Sequence, residues 1–103
     1  MRKARVFFDS ELAGYLTEID SKHYLFEYLE TYNGISVSLT MPLSKKKFEY
    51  ESFPPFFDGL LPEGVQLDGL LRQNKIDRND NFSQLLAVGA DLVGAVTVKA
   101  IEE

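Results

Sequence analysis

The chain contains no cysteine and no tryptophan, and only one histidine. Without cysteine there can be neither a disulfide framework nor a thiolate metal site. That absence suits a reducing compartment, and the expected location is the cytoplasm. A lone histidine, His23, leaves a multi-histidine metal centre without ligands and a Ser-His-Asp triad without support. His23 opens a predicted strand beside Ser21 and Lys22, so it reads as a strand-end surface residue rather than a catalytic base. Long apolar runs are also missing: none approaches the roughly 18 residues of a membrane span. The basic start, Met1 to Arg5, is followed by a short apolar stretch that Asp9 and Glu11 interrupt, which is a strand pattern and not a signal peptide.

Positive charge is scarce. Eleven Lys and Arg face 16 Asp and Glu, a net charge of −5. This disfavours direct binding of a phosphate backbone and suits a basic protein surface as partner. The one basic cluster, Lys45-Lys46-Lys47, reads as a solvated turn. Gly59, Gly64 and Gly69 recur every fifth residue, which matches neither a P-loop nor a dinucleotide fingerprint. Asp77, Asp80 and Asp91 lack calcium-loop spacing, and no kinase-type catalytic Asp motif is present. The expectation is a chain without catalytic residues, metal or cofactor.

What is present is a globular composition. The 103 residues are 45% hydrophobic and 26% charged, values of a single ordered domain spanning 1–103. Arg2 to Asp9 and Leu12 to Ile19 read as strands paired in a hairpin through Asp9-Ser10-Glu11. His23 to Leu29 is apolar on both alternating faces, which predicts a strand covered on both sides. Tyr32 to Ile35 is a turn, Ser36 to Thr40 a period-two strand closed by Pro42, and residues 44–55 a loop. A short helix over Phe56 to Leu61 starts at Pro55. A second follows from Glu63 to Gln73, with Leu67, Leu70 and Leu71 on one face. Asp80 or Asn81 caps a third, with Gln84 placed for a capping box if Asn81 is the cap. Leu85, Leu86 and Val88 bury it, and Gly89 stops it. Gly94 to Ala100 closes the order as a strand. Strands, then about three helices, then a strand predict an α+β fold on a small antiparallel sheet.

The most distinctive stretch is Phe56-Phe57-Asp58-Gly59-Leu60-Leu61-Pro62-Glu63-Gly64. Aromatics, an Asp-Gly turn, leucines and a Pro-Glu-Gly turn make a shaped element on apolar anchors. Asp58 and Glu63 could form an acid–base pair, but they suit the turn and the helix N-terminus better. The cluster Phe53-Pro54-Pro55-Phe56-Phe57 is either a lid packed under the helices or an exposed patch for a partner. Val65 either projects from a rigid tip or faces the core.

The pair FFDGLLPEG and DNFSQLLAVGADLVGAV resembles the N-terminal subdomain of the HipA family of bacterial kinase toxins, and the basic-apolar first strand fits as well. In that family a kinase-fold body follows this subdomain and phosphorylates a protein target, typically an aminoacyl-tRNA synthetase. In tripartite HipBST systems the subdomain is a separate protein, HipS, and the chain is similar to it. Its start, Met1-Arg2-Lys3, and charged end, Glu102-Glu103, suit an intact small protein. The resemblance implies an antitoxin that inhibits a HipT-like kinase. It also implies a ternary complex with a HipB-like helix-turn-helix protein that contacts the DNA. An excised regulatory subdomain of a full-length HipA kinase is the alternative. The implied docking residues are Phe56, Phe57, Asp58, Leu61, Pro62, Glu63, Gly64, Val65 and Leu67. Family members often carry a bulky aromatic after Pro-Glu-Gly; Val65 stands there in this chain.

Overall fold

The structure is a computed structural model that describes residues 1–92 and 94–101. The elements run β1 (Arg2–Phe8), β2 (Glu11–Asp20), β3 (His23–Tyr28), β4 (Lys47–Tyr50), α1 (Pro55–Asp58), α2 (Gly64–Asn74), α3 (Asn81–Val88) and β5 (Val96–Ala100). The strands form one antiparallel sheet in the order β4-β3-β2-β1-β5. This is the α+β arrangement expected, with the last strand returning after the helices to lie beside the first.

The β1–β2 hairpin closes through Asp9 and Ser10, whose φ angles of 49° and 70° give the left-handed turn that matches strand twist. Register then sorts the sheet into two faces. Ala4, Leu16, Phe26 and Phe48 lie in one row across β1, β2, β3 and β4 and are buried. Phe57, Phe82 and Leu85 from the helices join the same cluster. Arg5, Tyr15, Glu27 and Lys47 form the neighbouring row, with Lys99 of β5 opposite Arg5, and point the other way.

β3 is therefore not covered on both sides, contrary to its composition. Tyr24, Phe26 and Tyr28 are buried, while Leu25 and Glu27 on the opposite face are half-buried. An antiparallel sheet needs only one covered face, and the second carries Arg5, Glu27, Lys47 and Lys99.

Two further expectations are corrected. Ser36 to Thr40 is not a strand; among the described residues it pairs through an isolated bridge between Ser38 and Met41 alone. The segment instead hangs from one buried tyrosine. The Tyr28 hydroxyl donates to the Met41 carbonyl at 2.6 Å and accepts from the Val37 amide at 3.0 Å. The Tyr32 ring stacks on Tyr28 with centroids 5.8 Å apart. These side-chain bonds satisfy backbone groups that a ladder would otherwise have taken. The vacant place in the sheet is filled by Lys47–Tyr50, inside the segment expected to be loop.

Candidate functional site

The candidate site is built on α1, the turn after it, and α2. Pro55 stands at the first position of α1, where its missing amide costs nothing. The Gly59 amide donates to Pro55 (3.0 Å), Leu60 to Phe57 and Leu61 to Asp58 (both 3.1 Å). Three successive short-range bonds wind Asp58-Gly59-Leu60-Leu61 into a tight, ordered turn. Asp58 itself is exposed.

The aromatic cluster proves to be mostly internal. Phe57 has no solvent exposure and lies 5.8 Å from the Phe26 ring and 5.1 Å from Phe56, centroid to centroid. Phe53 meets Tyr24 edge-on at 5.5 Å, and Pro54 is fully buried. Of the residues read as docking candidates, Phe57 is thus an anchor beneath the element and does not reach its surface. Phe56, Leu61, Pro62 and Leu67 are half-buried, and Asp58, Glu63, Gly64 and Val65 are exposed.

The bend that presents Val65 is local. Glu63 is the cap of α2 in extended conformation, with no side-chain cap bond. Gly64 follows at φ 59°, a left-handed angle that favours glycine. Nothing lies within 4 Å of the place its Cβ would occupy. Val65 is 87% exposed. Of the two readings open for it, the projecting tip is the one observed.

The rest of α2 continues the surface. No residue of this 11-residue helix is buried. Leu67, Leu70 and Leu71 share one face as their spacing requires, yet they remain half-buried and lie outside the central cluster. An amphipathic helix ordinarily spends such a stripe on the core. Here the stripe is half-buried, and α2 packs beside α3 at the edge of the core.

A polar network that the sequence did not mark fixes the opposite end of the helical layer. Arg2 donates to both Glu18 carboxylate oxygens (2.7 and 2.9 Å), to Asp80 Oδ1 (2.8 Å) and to Ser83 Oγ (2.8 Å). Its guanidinium also lies 4.9 Å from the Phe82 ring centroid. One side chain so ties β1 and β2 to the start of α3. The cap of α3 is Asp80, which accepts from the Ser83 amide. Gln84 forms no capping box; its side chain donates to the carbonyls of Asp77 and Arg78. The only advance signal was Asp80 as a possible cap.

Burial alone would raise the Asp80 carboxyl, but the bonds from Arg2 and Ser83 outweigh it and hold the pKa at about 2. A carboxyl depressed in the folded state stabilises fully above its unfolded pKa of about 4 and loses that contribution as pH falls through the folded value. Acid titration of stability from pH 5 to pH 2 should therefore show a decline that Asp80→Asn reduces. An unchanged profile in that variant would remove the network from the account.

His23 is exposed and pairs with Asp20 across the β2–β3 turn at 2.8 Å, a surface contact as expected. Among the described residues, no helix is long and apolar enough to cross a membrane. The arrangement at α1–α2 offers shape and apolar contact, with Asp58 and Glu63 both exposed.

Known proteins are similar to this chain in sequence and fold. The HipA N-terminal domain family matches residues 4–99. An uncharacterized protein of Haemophilus influenzae is 33% identical over 99 residues, covering 96% of this chain and 92% of that protein. A solved structure described as the N-terminal domain of HipA toxin superimposes with a TM-score of 0.79 at 30% identity, covering 100% of this chain and 95% of that one.

Proposed function

Because this chain belongs to the HipA N-terminal domain family and has a HipA-related toxin–antitoxin role, we propose that it is an antitoxin that binds and inhibits a HipT-type serine/threonine kinase. The observation that carries this reading is the tip at Gly64–Val65. An apolar side chain stands 87% exposed at the start of α2, next to a left-handed glycine, with the half-buried Leu67, Leu70 and Leu71 following along the helix. A projecting apolar side chain beside further apolar surface is a shape that a protein partner can cover. The tight turn and the buried Phe57 hold the tip in place before any partner arrives, so little ordering entropy is lost on docking.

The mechanism is steric. The element from Phe56 to Leu67 docks beside the kinase active site, and Val65 enters the contact. Valine fills less space than an aromatic would, so occlusion comes from the whole element rather than from one plug. A HipB-like DNA-binding protein joins through the kinase. The Haemophilus relative of about the same length supports a small separate protein. A second reading, a regulatory subdomain acting within a longer HipA kinase, is favoured by the structural relative being a domain of the toxin itself. A separate kinase reading frame beside the gene would favour the antitoxin.

The test is a phosphorylation and binding assay with that kinase and this chain in equimolar amount. The expected result is a co-purifying complex with loss of kinase activity. Val65→Asp should weaken binding by more than about 2 kcal/mol, as at a desolvated interface centre. The same change should leave stability within about 0.5 kcal/mol, because the position is exposed. Binding without inhibition would make the chain a scaffold. No binding would overturn the antitoxin reading, and unchanged affinity of the variant would remove the tip from it.

A further inference from the structure

Strand β4 is an edge of the sheet, and its outer backbone is unpaired. The Tyr28 amide donates to the Lys46 carbonyl, and Phe26 faces Phe48 two residues on. Backbone groups alternate sides along a strand, so Lys46, Phe48 and Tyr50 bond toward β3 while Lys47 and Glu49 face outward. Among the described residues, neither Lys47 nor Glu49 makes a backbone bond to any other segment. The opposite edge is partly closed, since the Val98 amide of β5 donates to the Gly89 carbonyl at 3.0 Å.

A free edge is ordinarily protected by its charges. Here the charges have a particular order. The run Lys45-Lys46-Lys47-Phe48-Glu49-Tyr50-Glu51 is positive before Phe48 and negative after it. An antiparallel second copy centred on Phe48 puts Lys47 opposite Glu49 and Lys45 opposite Glu51. Symmetry repeats both pairs. The hydrogen-bonding partners in that register are Lys47 and Glu49, whose backbone groups are the ones that point outward. Centring on Lys47 or on Glu49 instead sets a residue against its own like charge. Centring between residues would match outward-facing groups with inward-facing ones. One register alone satisfies both the ladder and the charges.

We propose that β4 is a self-association edge, through which two copies of this chain pair about a twofold axis at Phe48 into one continuous sheet. The contact is isologous and closes at the dimer, so it does not propagate. Opposite charges directly across a strand pair are stabilising and like charges are not. The edge does not involve the tip at Val65.

Sedimentation velocity over a range of protein concentrations, at low and high salt, tests this on the intact chain. The unaltered protein should shift toward a dimer as concentration rises, and salt should weaken it. Glu49→Lys and Lys47→Glu each set like charges face to face, and each should raise the dimer dissociation constant by at least about tenfold. Both side chains are exposed, so neither change disturbs the core. Mixing the two single variants sets lysines against glutamates again and should restore a one-to-one dimer, a result that no folding defect produces. An unaltered protein that stays monomeric, a Glu49→Lys protein that dimerises as before, or a mixture that stays monomeric would overturn the proposal.

Discussion

Phe57→Ala is expected to lower the free energy of unfolding by about 3–5 kcal/mol. The ring has no solvent exposure and sits between Phe26 of the sheet and Phe56 of its own helix. Its removal leaves a cavity under a helix of four residues, too short to hold itself. The surrounding prolines cannot rotate into the space, because Pro54 and Pro55 have fixed φ. Urea denaturation measures the loss. A change below about 1 kcal/mol would mean that the site collapses and that the element is not anchored as described. If the chain is the antitoxin proposed above, the same variant should also weaken kinase binding although Val65 is untouched, since Phe57 lies beneath the element. Comparison with Val65→Asp separates the two roles: one change affects stability and docking together, the other docking alone.

Gly89→Ala should cost about 3 kcal/mol or more. Gly89 stops α3 as its sequence position suggests, but not through a left-handed backbone. Gly89 has φ −56° and ψ −30°, angles open to any residue. Its constraint is space: a Cβ there would lie 2.0 Å from the Val98 carbonyl oxygen. Both clashing partners are backbone, and Gly89 also accepts the Val98 amide, so neither side can move without breaking the seam between α3 and β5. Gly69→Ala is the control. It lies in α2 with nothing within 4 Å of its Cβ position, so alanine should stabilise by about 0.5–1 kcal/mol. Thermal melts of the two variants should move in opposite directions. A Gly89→Ala protein as stable as the parent would refute the close approach.

Much of the fold follows from local chemistry. The Asp9-Ser10 turn, the proline start of α1, the leucine spacing of α2 and Asp80 as a cap are rules acting over a few residues, and each is met. The paired motifs at 56–64 and 80–96 carried the family resemblance, which the match over residues 4–99 bears out. Strand assignment in the middle of the chain did not follow from such rules. Ser36–Thr40 has the alternation of a strand and Lys47–Tyr50 the charge of a loop, yet the sheet takes the second. Phe48 can join the buried row with Phe26 and Leu16, and Tyr28 offers its hydroxyl to the first segment.

The sequence by itself determined where the chain turns, which residues can be apolar anchors, and the charge order around Phe48. Those properties belong to residues and their near neighbours. Only the tertiary structure decided which anchors are spent inside. Phe57 went to the core and Val65 to the solvent, although both are apolar and lie in neighbouring helices. It also decided that Arg2 reaches Asp80 from 78 residues away, that Gly89 meets a carbonyl rather than a turn, and that the charged run lies on an edge. Each depends on distances between segments that sequence spacing does not contain. Burial and edge position are set by which surfaces the folded chain has left uncovered.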